Sequence, residues 1–198
     1  MQDVRIYFIG DSYVNGTGDP QFLGWPGRVC AASLSPQTHI TGYNLGIRGD
    51  TSADVLRRWR AEVDARRLLP HDARLVFGFG ANDCWLIDGE PRVDEADTVK
   101  NARHILSEAR DLLPTLLVGP PPGKDDEEQA RRSRVSQILA GIAAEEQVPY
   151  LDVIGQLDDT QAWRREAAAG DGVHPGAEGY ASLARAVLAW SAWWFKAS

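Results

Sequence analysis

The sequence predicts an α/β fold in three layers, with a doubly wound parallel sheet of about five strands sandwiched between helices. Three observations predict it. Short segments that are apolar throughout recur along the chain, without the alternation of a half-solvated strand, which marks strands covered on both faces. Segments of helical period separate them. Runs rich in Gly, Asp, Ser and Pro follow the apolar segments, at the carboxyl ends where open α/β sheets bind ligands.

Residues 4–10 (VRIYFIG) form the first strand, stopped by Gly10, with Asp11 and Ser12 on the turn beyond. A Gly-, Asp- and Pro-rich binding or mobile loop follows, and a helix through Arg28, Val29 and Leu34 begins with Pro26 in its first turn. Residues 38–45 make the second strand and residues 46–52 (GIRGDTS) the loop after it, with Thr51 or Ser52 capping the next helix. That helix places Val55, Trp59 and Val63 on one face and stops before Pro70. The third strand, residues 74–80 (RLVFGFG), delivers Ala81, Asn82 and Asp83 to the same edge as Ser12.

A polar loop over residues 88–94 leads to a helix over residues 95–112, with Val99, Ala102, Ile105, Leu106 and Ala109 on one side. Residues 115–119 are the fourth strand, ended by the rigid run Pro120, Pro121, Pro122 and Gly123. A helix over residues 125–146, a short fifth strand over 148–153 and a helix over 160–169 precede DGVHPG. The last helix spans residues 177–195, with Leu183, Val187, Trp190 and Trp194 on one face. Trp193 and Phe195 fall off that face, where they either cover a dimer surface or cap the sheet.

At 198 residues, a single domain over 1–198 is expected. The formal net charge is −7, and no basic run exceeds Arg131, Arg132 and Arg134, so the electrostatic footprint of a nucleic-acid binder is missing. Cys30 and Cys84 are too few for a disulfide framework or a zinc site and suggest buried thiols in a reducing compartment. His39, His71 and His104 lack ligand spacing, so neither a metal nor a cofactor is expected. No apolar run reaches the roughly 20 residues of a membrane span, because Arg185, Ser191 and Lys196 interrupt the Trp-rich C-terminal segment. The first strand leaves no room for a signal peptide, and a soluble, cytoplasmic protein is the expectation.

Two places carry chemistry. Ser12 stands at the end of the first strand, either as a reacting group or as a plain helix cap. In DGVHP, Asp171 and His174 lie three apart in a turn enforced by Gly172 and Pro175. A serine hydroxyl is a weak nucleophile that needs a base, and a carboxylate on the other imidazole nitrogen fixes the tautomer. The plainer reading has Asp171 capping the last helix and His174 on the surface.

Four blocks in order carry a family resemblance: GDS at residues 10–12, the glycine within NLGIRGDTS, GAND at residues 80–83 and DGVHP at residues 171–175. Together they resemble the SGNH (GDSL-type) hydrolases. The resemblance implies a flavodoxin-like sheet, Ser12 as nucleophile, His174 as general base and Asp171 as its orienting carboxylate. It also implies an oxyanion hole from the Ser12 N–H, the Gly49 N–H and the Asn82 side chain. A backbone N–H approaches a reacting oxygen closely where no Cβ intervenes, which suits Gly49, with Gly46 as the competing position. Asn82 offers an uncharged donor, unless it only forms an Asx turn with Asp83. The acid three residues before the histidine, and the missing second glycine of G-x-S-x-G, depart from the α/β-hydrolase pattern.

The expected activity is that of a serine esterase acting on a small-molecule ester or thioester, through an acyl-enzyme on Ser12. A carbohydrate O-deacetylase is the alternative with the same machinery. Trp25, Trp85 and the Pro120 to Pro122 loop are candidates to wall an acyl or sugar pocket, with ordinary packing as the competing role. A flavodoxin-like module holding phosphate on residues 10–18 is the non-catalytic alternative, weakened by the lack of a GK[ST] ending or a GxGxxG helix entry. A homo-oligomer is left open.

Overall fold

The computed structural model describes residues 2–67, 71–157 and 160–195. Its elements begin with β1 (Gln2–Gly10), α1 (Ser12–Asn15), α2 (Gly24–Ser33), β2 (Thr38–Gly46), α3 (Ser52–Asp64) and β3 (Asp72–Gly78). A small hairpin of β4 (Leu86–Ile87) and β5 (Glu90–Pro91) precedes α4 (Glu95–Leu112), β6 (Thr115–Val118) and α5 (Asp126–Glu145). The chain then runs through β7 (Tyr150–Leu151), α6 (Val153–Gln156), α7 (Thr160–Ala169) and α8 (Ala177–Ala189).

The main sheet has five strands in the order β2-β1-β3-β6-β7, and every adjacent pair is parallel. The order reverses between β1 and β3, so their carboxyl ends flank the crevice where such sheets place ligands. Side chains alternate across β1 into two cores. Val4, Ile6 and Phe8 pack with Trp25, Val29 and Val187 on one face. Tyr7 and Ile9 pack with Val55, Trp59 and Ile105 on the other. This is the doubly wound sandwich that the uninterrupted apolar strands predict. No described helix is long and apolar enough to cross a membrane.

Local chemistry sets the helix starts. Thr51 caps α3 in a capping box: its hydroxyl accepts from the Asp54 N–H, and the Asp54 carboxylate accepts from the Thr51 N–H at 3.0 Å. Thr51, not Ser52, is therefore the cap. The helix ends at Asp64, with Ala65 as its C-cap, short of Pro70 as expected. Asp94 and Asp125 cap α4 and α5 in the same way, each accepting from the N–H three residues on.

Glycines shape the active edge. Gly46, Gly10 and Gly78 stand side by side at the ends of β2, β1 and β3. A Cβ on Gly10 would sit 1.9 Å from the Gly78 carbonyl oxygen, and one on Gly46 would sit 2.2 Å from the Asn15 amide nitrogen. Only a glycine row lets α1 lie down on the sheet edge. Arg58 braces it, donating to the Gly10 carbonyl at 2.9 Å and to Asp50 at 2.6 Å.

Several elements differ from the sequence reading. The third strand ends at Gly78, and Phe79 and Gly80 already leave the sheet, Gly80 with φ of +105°. The fifth strand keeps only two residues. Residues 88–94 are not all loop, because the β4–β5 hairpin turns on Asp88 and Gly89. The last helix stops at Ala189, with Trp190 extended, so Trp190 and Trp194 continue no helical stripe. The chain bends there to bury Trp193 and Phe195 against the α2–α8 layer, and the Trp193 indole N–H donates to Ser33 Oγ at 3.1 Å. These two rings cap the core of their own chain and form no outward dimer face.

Candidate active site

Ser12 is the first residue of α1 and is 3% exposed. Asp11 caps that short helix, accepting from the Tyr13 N–H at 2.9 Å, and Gly16 ends it with φ of +86°. Burial pushes the Asp11 carboxyl up to about 7 against the Tyr13 amide and the Arg132 charge, which favour its ionised form.

His174 reaches Ser12 from the opposite side, on the turn between α7 and α8. Its Nε2 lies 2.8 Å from Ser12 Oγ, and its Nδ1 lies 2.7 Å from Asp171 Oδ2. Burial raises the Asp171 carboxyl, but the His174 amide, the imidazole and the Val173 amide outweigh it and bring it down to about 2. An ionised carboxylate only accepts, so Nδ1 carries the proton and Nε2 is free to accept one from Ser12. Burial lowers the imidazole pKa, Asp171 opposes the shift, and Arg48 and Arg132 reinforce it.

The turn is held locally. Asp171 Oδ1 accepts from the N–H groups of Val173 at 3.0 Å and His174 at 2.9 Å, and Gly172 supplies the left-handed residue at φ +81°. Asp171 does not cap α8. Glu166 does so, its carboxylate accepting from the Gly176, Glu178 and Gly179 amides at 3.0, 3.1 and 2.7 Å. Sequence reasoning missed Glu166, which sits ten to thirteen residues upstream of the amides it satisfies.

Across the serine stand the other three expected groups. Among the described residues neither the Ser12 N–H nor the Gly49 N–H has an acceptor. Gly49 adopts φ of +86°, whereas the Gly46 N–H is already taken by Asn44 Oδ1 at 3.1 Å. Asn82 donates one amide hydrogen to the Asp50 carbonyl at 2.9 Å and keeps the second. Asp83, fully buried, accepts from the Ser52 N–H at 2.7 Å and Thr98 Oγ1 at 2.9 Å, which ties the Asn82 turn to α3 and α4.

These groups meet in an open cleft of about 170 Å³, walled further by Arg48, Trp85 and Arg92. The structure thus brings Ser12, Asp171, His174, Gly49 and Asn82 together. Trp25 is no wall: it is 1% exposed and packs edge-on against Phe8. The Pro120 to Pro122 run is buried too, and the Pro121 and Pro122 carbonyls accept from Arg132 at 3.0 and 2.9 Å. Arg132 itself, 2% exposed, pairs with Glu128 and donates to the Tyr13 hydroxyl at 2.7 Å. Tyr13 in turn tilts against the His174 ring, centroids 5.1 Å apart. The only trace of this in the sequence is the i, i+4 pairing of Glu128 and Arg132, which is ordinary on any helix surface.

The fold and the family match together define the class: an α/β enzyme that hydrolyses ester bonds. Within it the chain belongs to the GDSL-like lipase/acylhydrolase family, whose model matches residues 8–182. A curated acetylxylan esterase from Geobacillus stearothermophilus is 25% identical over 205 residues, covering 93% of this chain and 92% of its own length. Among solved structures, a catalytic mutant of an acetylxylan esterase from Geobacillus stearothermophilus superposes with a TM-score of 0.78 at 22% identity, covering 93% of this chain and 92% of the other. An α/β hydrolase enzyme from the metagenome of Lake Arreo, Spain, gives 0.74 at 19% identity, covering 93% of each chain. The solved structures share the fold, which is the SGNH arrangement that the four sequence blocks suggest.

Proposed function

We propose that the protein is a serine esterase for short-chain carboxylic esters, with Ser12 as nucleophile, His174 as general base and Asp171 as the carboxylate that orients it. The observation that carries this is the unbroken chain of hydrogen bonds from Asp171 through His174 to Ser12, at 2.7 and 2.8 Å. Ser12 Oγ attacks the ester carbonyl carbon while His174 Nε2 takes its proton. The developing oxyanion accepts from the Ser12 N–H, the Gly49 N–H and the free amide hydrogen of Asn82. His174 then returns the proton to the departing alcohol oxygen, leaving an acyl group on Ser12. Water attacks that acyl-enzyme with His174 again as base, releasing the acid and restoring the serine.

The size of the cleft supports a short acyl group. Its 170 Å³ is below the roughly 300 Å³ at which pockets for drug-sized ligands begin. The same machinery serves a thioester. A second reading, a carbohydrate O-deacetylase, is favoured by the acetylxylan esterase relative and by the Trp85 ring on the cleft wall.

The test is Ser12→Ala with p-nitrophenyl acetate, a panel of longer p-nitrophenyl esters and an acetylated xylooligosaccharide. Hydrolysis should fall by about 10⁴-fold or more while the fold is kept. Near-normal turnover by a clean Ser12→Ala preparation would sink the assignment, and the panel separates a general short-chain esterase from a deacetylase.

A further inference from the structure

The chain as a whole carries a formal charge of −7, yet the cleft beside Ser12 has the opposite sign. Arg48, Arg92 and Arg132 line it, and no Asp or Glu does. The three arginines are not equivalent. Arg132 is neutralised by Glu128 and its remaining reach is spent on Pro121, Pro122 and Tyr13. Arg48 has a side chain 65% exposed and touches only Asp171 Oδ2, at 3.2 Å, an atom that already accepts from His174. Arg92 has no carboxylate within ion-pair distance among the described residues, although its charge acts on buried Asp83, and its one side-chain bond, to the Gly49 carbonyl at 2.9 Å, leaves most of its donors unused.

A further cation adjoins them. Lys124 Nζ lies 5.3 Å from the centroid of the Trp85 ring that walls the cleft. Cations collected at a cleft repel one another, and a neutral ester needs none of them. They concentrate an anion there, and a guanidinium fork fits a carboxylate with two parallel hydrogen bonds.

We propose that the natural substrate carries an anionic group of carboxylate type on its alcohol portion, bound by Arg92 with Arg48 beside it. The alcohol side follows from the protonation geometry. His174 must reach the leaving oxygen, and Arg48 stands against the Asp171–His174 pair, so the leaving group departs past Arg48, in the cleft that Arg92 also lines. The enzyme would thereby select short-acyl esters of acidic alcohols. This selection rests on the esterase reading above.

Two esters of matched shape test it: para-acetoxybenzoate, which is anionic, and para-acetoxybenzamide, which is neutral, with p-nitrophenyl acetate as the control for esterase activity. At low salt kcat/KM for the anionic ester should exceed that for the neutral one by about tenfold, a ratio typical of charge-assisted hydrogen bonds. The ratio should fall towards one in about 0.5 M NaCl, where exposed charges are screened. It should also fall in Arg92→Gln and be partly kept in Arg92→Lys. If Arg92→Gln does not fold, the salt series on the unaltered protein decides. Equal kcat/KM for the two esters at low salt, or a ratio that neither salt nor Arg92→Gln reduces, overturns the selection and leaves the esterase reading standing. Hydrolysis of none of the three esters overturns the esterase reading, and the selection with it.

Discussion

Ser12 and His174 stand 2.8 Å apart and are held there by opposite means. Ser12 is fixed by the interior of the fold: the end of the inner strand β1, a row of three glycines, a buried cap and the braces of Arg58 and Asn44. His174 is fixed by a five-residue turn whose hydrogen bonds come mostly from its own Asp171, with that side chain 36% exposed. The difference teaches where each kind of change will be felt. On the serine side, position and stability are one property, because the contacts that aim the hydroxyl also close the core. On the histidine side they separate, because the turn can lose a catalytic atom while the sheet beneath it stays packed.

The largest effect should come from the serine side. Gly10→Ala places a methyl group 1.9 Å from the Gly78 carbonyl oxygen, a contact that neither backbone can relieve without moving β1 or β3. Activity and cooperative unfolding should be lost together, as read by near-UV circular dichroism and thermal melts. A folded, active Gly10→Ala protein would break the claim that the nucleophile's place is built into the sheet.

On the histidine side, Asp171→Asn should lower turnover by up to about 10⁴-fold, since an amide no longer enforces the Nδ1–H tautomer. Its melting temperature should stay close to that of the unaltered protein, because an Asn oxygen still accepts from the Val173 and His174 amides. A large drop in stability would erase the distinction between the two sides. Asn82→Ala removes one of the three proposed oxyanion donors and should cost about 10² to 10³ in kcat with KM nearly unchanged. If it mainly raised KM, Asn82 would be a contact to the ground-state substrate.

The smallest effect is one of pH. Only neutral His174 can act as base, so kcat/KM rises with pH through the pKa of the free enzyme's imidazole. Burial lowers that pKa, so the acid limb should have its midpoint below the usual histidine value of about 6.5. Arg48 contributes to the lowering, and Arg48→Gln should move the limb to higher pH, whereas Asp171→Asn, which removes an opposing charge, should move it lower. A limb that neither substitution moves would mean that another group sets the pH dependence.

The same contrast runs through what the sequence disclosed. β1 and β3 were legible because a strand buried on both faces writes itself as an unbroken apolar run, and α3 because Val55, Trp59 and Val63 repeat at the helical period. Ser12, Asn82, Asp171 and His174 were legible as short blocks at the ends of such elements. The β4–β5 hairpin went unread although its Asp88-Gly89 pair, both at positive φ, is a strong two-residue turn signal. Depth was the harder quantity. Arg132 looked like one member of a basic surface run and lies buried, because Glu128 and two proline carbonyls satisfy it. Trp25 stood near a loop and lies in the core, and Trp190 and Trp194 kept helical spacing past the point where burying Trp193 bends the chain. Position along one chain carries no record of what another segment will lay on top of it.

The central claim is that Ser12 is the nucleophile and that His174 activates it, and covalent labelling tests this most directly. A fluorophosphonate should react with the unaltered protein once, and peptide mass mapping should place the adduct on Ser12. The labelling rate should fall by orders of magnitude in His174→Ala, because without the base the hydroxyl keeps its proton. An adduct on another residue, or labelling of Ser12 at the same rate without His174, would contradict the account.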